Sequence, residues 1–146
     1  MPNTIVLKGE GHFAEGTAAS GTVLKPGMCV QYDSAGTFVV GNAAADGEMG
    51  TWKIVVEDAN LGLKTTDSYA DGGRFRYYHP QPGDVLQVLC DETADALVIG
   101  DKLICDVSEG NFIETTGTVE SEGFQCVEAP GTLSADTLVK VECTGR

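Results

Sequence analysis

Apolar residues along this chain come in short runs of four to eight, rich in Val, Ile, Phe, Tyr and Thr and fenced by Gly, Pro, Asp and Asn. That is the pattern of short strands joined by turns. The expected strands are Thr4–Lys8, Thr22–Leu24, Met28–Tyr32, Thr37–Val40, Thr51–Asp58, Arg74–His79, Asp84–Cys90, Lys102–Val107, Asn111–Glu114, Phe124–Glu128 and Thr137–Cys143. In Arg74–His79 the alternation predicts Phe75 and Tyr77 on a core face and Arg74 and Arg76 on a solvent face. One stretch competes for helix: Asp84–Ile99 lacks Gly and Pro, and the acids opening 91–97 suit the start of a short helical turn. The fold class predicted is all-β.

The chain also resembles itself. The run from Pro26 to Val40 aligns, 74 positions on, with Gly100 to Glu114, each reading as a strand, a Gly-containing turn and a second strand opened by Phe. Trp52–Glu57 then matches Phe124–Glu128 across a loop of different length. A further Pro-Gly pair, Pro82-Gly83, opens the strand that runs to Cys90.

The first residues differ from the rest. Thr4-Ile5-Val6-Leu7 makes a good strand, yet residues 9–21 are rich in Gly, Ala and Ser and bury little. The division expected is an N-terminal arm and flexible connector over 1–21, with Gly9-Glu10-Gly11 as a joint, and a β-domain over 22–146. A tethered strand can pair with the sheet edge of another chain as readily as with its own. On that reading, removal of Met1–Lys8 leaves the domain folded.

Charge narrows the function classes. With 9 Lys and Arg against 22 Asp and Glu, the net charge is −13, which opposes the clustered cations that nucleic-acid binding requires. No apolar run reaches the ~18 residues of a membrane span, and the N-terminus lacks the basic and apolar regions of an ordinary signal peptide. Gly contributes 19 of 146 residues, well above the usual ~7%, so the elements are short and the turns many. At 15.3 kDa the chain suffices for one ordinary core. Its five cysteines, Cys29, Cys90, Cys105, Cys126 and Cys143, are well separated and include no Cys-x-x-Cys pair. They read as reduced, buried, small apolar residues, with no disulfide framework or zinc site encoded locally.

Catalytic patterns are sparse. Only His12 and His79 are available as imidazole bases, no Gly-x-Ser-x-Gly elbow occurs, and neither phosphate-cradling glycine loop is present. Asp67-Ser68-Tyr69-Ala70-Asp71-Gly72-Gly73 approaches a calcium loop, but its acids lie four apart where such loops alternate them, so it reads as solvated surface. Carboxylate pairs as in glycosidases remain open, with no pair singled out by the sequence. The trimeric hydrolases of deoxyuridine triphosphate have similar size, but their Arg- and Gly-rich tail has no counterpart in Thr132–Arg146. No enzyme activity and no cofactor are expected.

The richest contact chemistry is Arg74-Phe75-Arg76-Tyr77-Tyr78-His79-Pro80, which holds two of the three Arg and three aromatic rings. Arg74, Arg76, Tyr77 and Tyr78 form the candidate interface patch, because Arg and Tyr carry a disproportionate share of interface energy. A carbohydrate-binding or adhesion module stacking sugars on Tyr77, Tyr78 and Trp52 is the alternative use.

Taken together, several segments resemble the head decoration, or cement, proteins of tailed bacteriophages. They are Asn3–Lys8 before a Gly-rich stretch, Leu24-Lys25-Pro26-Gly27-Met28-Cys29-Val30 leading to Gly36-Thr37-Phe38-Val39-Val40, and Glu57-Asp58-Ala59. The likeness continues through Tyr69-Ala70-Asp71-Gly72-Gly73, the run from Pro82 to Leu89, and Ile99-Gly100-Asp101-Lys102-Leu103 before Gly110-Asn111-Phe112. The resemblance spans nearly the whole chain through loose turn-and-strand patterns. It implies a small single-domain β-barrel or β-tulip-like fold that forms a homotrimer on the capsid exterior, bridges major capsid protein subunits and stabilises the expanded shell. It also implies assembly in the host bacterial cytoplasm, residence in the virion, no catalytic residues, and Thr4, Ile5, Val6 and Leu7 as a strand donated to a capsid or cement neighbour.

Overall fold

A computed structural model describes residues 4–9, 11–32, 36–40, 53–91, 96–105, 110–114 and 124–144. The helical turn expected over 91–97 and the side chain of Trp52 fall mostly or wholly outside those residues. The regular structure of the described residues is nearly all β: β1 (Val6–Lys8), β2 (His12–Thr17), β3 (Cys29–Tyr32), β4 (Phe38–Val40), β5 (Lys53–Val56), β6 (Arg74–His79), β7 (Val85–Cys90), β8 (Lys102–Cys105), β9 (Phe112–Glu114), β10 (Phe124–Cys126) and β11 (Thr137–Cys143). One 3-10 turn among the described residues, Ala59–Leu61, is capped by the Asp58 carboxylate accepting from the Asn60 N–H.

The second half of the chain closes into a five-strand barrel. Antiparallel pairing runs β7-β11-β10-β8-β9, and β9 returns to β7 through a parallel bridge between Phe112 and Cys90. The sheet of the first half runs β2-β6-β5-β3-β4. Strand for strand this is the same order, with β2 standing for β7, β3 for β8, β4 for β9, β5 for β10 and β6 for β11. The closing contact is also repeated. Ala18, just past β2, makes a parallel bridge to Phe38 of β4; the next amide, Ala19, donates to the Phe38 carbonyl at 2.8 Å, as Asp91 donates to that of Phe112 at 3.0 Å. The hairpin likeness in the sequence is thus one visible part of a duplicated five-strand unit.

Each ring has its own aromatic filling. Phe38, Phe75 and Tyr77 pack inside the first, with Phe38–Phe75 centroids 5.1 Å apart edge-to-face. Phe112 and Phe124 meet similarly at 5.3 Å in the second. Cys29, Ile54, Val56 and Tyr78, on the opposite strand faces of the first ring, join the core of the second. The rings are further stitched by backbone: Leu89 N–H donates to the Gly27 carbonyl and Cys29 N–H to that of Gly110, both at 2.9 Å. Gly27 has φ of 95° and lies against the Leu89 backbone nitrogen and the Leu138 side chain, so a side chain there meets both strain and collision.

Several expectations are corrected. The stretch read as a flexible connector contains β2, paired along its length with β6 from His12↔His79 to Thr17↔Arg74. Its sequence shows no alternation because the ladder comes from β6 while most of its side chains face water. Gly9 and Gly11 do not act as a loose joint: a Cβ on either would run into Tyr78, and on Gly11 also into the His79 carbonyl. Thr22–Leu24 forms no strand; its carbonyls accept from Gly72 and Tyr69 N–H groups instead. The arm is paired in cis, with Val6 opposite Leu86 and Lys8 opposite Val85. It is a strand of its own domain, and its Ile5 lies in the core of the second ring.

The cysteines divide. Cys29 and Cys105 are joined in a disulfide that ties β3 to β8, which overturns the reading of five reduced thiols. Cys90, Cys126 and Cys143 are the small buried residues expected. Burial raises the Cys90 and Cys126 thiols, the latter to about 11, so both stay protonated and unreactive at neutral pH. With partners 76 residues apart, the disulfide restricts a long loop of the unfolded chain and contributes on the order of 4 kcal/mol. Urea unfolding of Cys105→Ala, or of the wild type under reductant, is expected to show a loss of that order with the native fold retained.

Candidate interface at the β2–β6 edge

The arm is held by a small set of polar contacts around one buried side chain. Ile5 is 0% exposed, in the core of the second ring. Glu57, just past β5, accepts from the Thr4 hydroxyl at 2.6 Å and from the Ile5 amide at 3.0 Å. From β7, the Gln87 side-chain amide donates to the Thr4 carbonyl at 2.8 Å and the Gln87 N–H to that of Ile5 at 2.7 Å. Glu57 belongs to the first ring and Gln87 to the second, so the arm lies across the seam. Val6 is half-buried against the same core, and Leu7 is half-buried beside it.

Downstream of the arm the chain turns over Tyr78. This ring is 1% exposed; its hydroxyl donates to the Asp84 carboxylate at 2.6 Å and accepts from the Gly11 amide at 2.6 Å. Burial, followed by the hydrogen bond to Asp84, pushes the Tyr78 phenol up to about 12. It is a structural post. Phe13 of β2 lies over it with centroids 4.8 Å apart.

The outward face of β2 and β6 carries the exposed chemistry. Phe13 is 47% exposed, and the Arg76 guanidinium sits 4.5 Å from its ring centroid. Beside it Arg74 and Glu15 make an exposed ion pair at 2.5 Å, a contact of small stabilising value in water. Of the four patch residues predicted, Arg74 and Arg76 reach the surface and Tyr77 and Tyr78 do not. Tyr77 points into the first ring, its hydroxyl 3.4 Å from that of Tyr32. That hydrogen bond, and then burial, raise the Tyr77 phenol to about 12. Neither tyrosine offers a face to a sugar ring, which removes the stacking platform expected of them. Phe13 and Glu15, absent from the predicted patch, complete it; the lone aromatic within an otherwise small and polar stretch was the available signal.

The other edge of β2 is not covered by any of the described strands. Among the described residues no strand pairs with His12–Thr17 on the side away from β6. In the duplicated unit the closures align Ala18 with Cys90, so Phe13–Ala14 matches Val85–Leu86, the place on β7 that β1 occupies. Among the described residues, one half covers this edge with the arm and the other leaves it open.

Compared with protein-family models and with curated proteins, the chain gives no match.

Replacing Ile5 with Ala empties a fully buried site and is expected to cost about 3 kcal/mol in chemical denaturation. Thr4→Ala, which removes one contact to Glu57 and leaves Ile5 in place, is expected to cost about 1 kcal/mol by the same measurement.

Proposed function

We propose that this chain is a structural virion protein, a head decoration or cement protein of a tailed bacteriophage. On this reading it binds the capsid exterior as a homotrimer, bridges neighbouring major capsid protein subunits and stabilises the expanded shell. The open edge of β2 carries the reading. An extended segment of a capsid subunit can add there through main-chain hydrogen bonds, as β1 adds to β7, while the adjoining Phe13–Arg76 stack supplies side-chain specificity. The surface is suited to a protein that must stay dispersed before it coats a shell, because a net charge of −13 keeps free copies apart. Trimerisation multiplies a modest contact by avidity.

The role assigned to the arm differs from that implied by resemblance alone. Thr4, Ile5, Val6 and Leu7 serve chiefly by pinning the two rings together, and the contact with the shell falls to β2 and β6.

Co-sedimentation with expanded capsids that lack the protein tests this. Phe13→Asp combined with Arg76→Ala is expected to cut capsid binding at least about tenfold, equivalent to about 1.4 kcal/mol, with the thermal melt within a few degrees of wild type. Analytical ultracentrifugation of the free protein is expected to give about three times the 15.3 kDa chain mass. Equal binding by wild type and variant, or no capsid binding by either, would count against the proposal.

A further inference from the structure

Both histidines of the chain stand in one row. His12 opens β2 and lies directly opposite His79, which closes β6; on the other side of β6 the register that pairs Ile54 with Tyr78 brings Lys53, the first residue of β5, next to His79. Residues opposed across antiparallel strands share a face and sit about 5 Å apart at Cβ. The face is the inner one, because alternation puts His79 with Tyr77 and Phe75, and Lys53 with Val55, and those three neighbours lie in the first ring's core. Each of the three is a terminal residue of its strand, so the row forms the rim at one end of the first ring. Tyr32 of β3 overhangs it, 54% exposed, with the Lys53 ammonium 5.5 Å from its ring centroid.

Such a row is electrostatically unusual. Like charges in direct cross-strand register repel, and in a chain with 22 acids and 9 Lys and Arg composition does not force three bases together. The His79 imidazole is held below its ordinary 6.5 by burial, and then by Lys53 and His12. Tyr77 shares the face of His79, and Tyr32 lies beside Lys53, so these two tyrosines border the row. Those two share one hydrogen bond at 3.4 Å, which uses one of their two hydrogens and leaves the second without an acceptor among the described residues.

We propose that this rim is a binding site for an oxyanion, held by Lys53 and by the imidazoles of His12 and His79, with the spare tyrosine hydrogen as a neutral donor. A carboxylate on a partner or a free tetrahedral anion has the required chemistry. The site is independent of the decoration reading and stands on the row alone.

Sulfate is a suitable probe because its charge is constant from pH 5.5 to 8. In NMR titrations at fixed ionic strength with chloride as counter-ion, sulfate is expected to shift the His12 and His79 ring resonances saturably. It is expected to raise the titration midpoint of His79 and to bind about tenfold more tightly at pH 5.5 than at pH 8, as added positive charge near an anion requires. His12→Gln, exposed and tolerant of change, and Lys53→Met are each expected to weaken binding several-fold, roughly 1 kcal/mol by the tenfold-per-1.4 rule. A parallel titration with acetate separates the sources: saturation by acetate identifies a carboxylate-type guest, and saturation by sulfate alone a tetrahedral one. Ring resonances unmoved by both anions, or moved identically in wild type and in His12→Gln, would overturn the proposal.

Discussion

The structure depends on the seam between its two rings. Each five-strand unit, 12–79 and 85–143, is about the size at which a lone domain buries too little of its surface to be more than marginally stable. The rings escape that limit by sharing a core: Cys29, Ile54, Val56 and Tyr78, which would be solvent-facing on an isolated first ring, are buried against the second. A fully buried side chain of that kind contributes roughly 1.5–3 kcal/mol. Ile5 fills the same cluster from the arm; its own amide is satisfied by Glu57 on one side, and the carbonyl of Thr4 by Gln87 on the other. The disulfide between Cys29 and Cys105 then joins strands that burial has already brought together.

Much of this was legible in the sequence, and the parts that were not share a physical cause. Strands β6 and β11 were predicted at their observed bounds because each lies between two partners, and burial imposes a clear pattern on its side chains. The hairpins β3–β4 and β8–β9 were legible as copies, since Gly turns and an opening Phe are local signals. Strand β2 was invisible because it is an edge strand with small and polar residues, made a strand by the hydrogen bonds that β6 offers. Pairing of Cys29 with Cys105 was equally hidden: both sit among apolar neighbours, as the buried free thiols do, and their approach is a product of ring-on-ring packing across 76 residues. Tyr78 was misplaced for the same reason. Alternation correctly turned it away from the first ring, but that direction leads into the second ring's core and not into water.

Duplication sharpens what the open edge means. Closing a five-strand ring through a single parallel bridge leaves most of the first strand's outer edge unpaired, at β7 as at β2. Unpaired edges template association, and folded proteins cover them or guard them. On β7 the solution is the arm. On β2 there is instead a guard of polar and charged side chains: His12 at its start, Glu15 held by Arg74, and Arg76 lying over the exposed ring of Phe13. Such an edge resists indiscriminate pairing, yet its outward main-chain donors and acceptors are unpaired among the described residues and suit a partner whose own side chains fit the guard.

Strand β2 also links that edge to the rim of the first ring. Its alternate residues His12, Ala14 and Gly16 share a face with His79, Tyr77 and Phe75, and Gly16 lies so close to Phe38 that a Cβ would collide with the ring. The strand is therefore pressed onto the aromatic core, and its position is fixed by shape even though it buries little of itself. Phe13 and Glu15, on the other face, inherit that rigidity, and so does His12 at the rim. Local sequence preference and final structure disagree along β2, whose ladder is imposed by β6. A segment optimised only to complete a barrel would alternate apolar and polar residues, as β11 does; β2 gives up that pattern and keeps a positioned backbone edge.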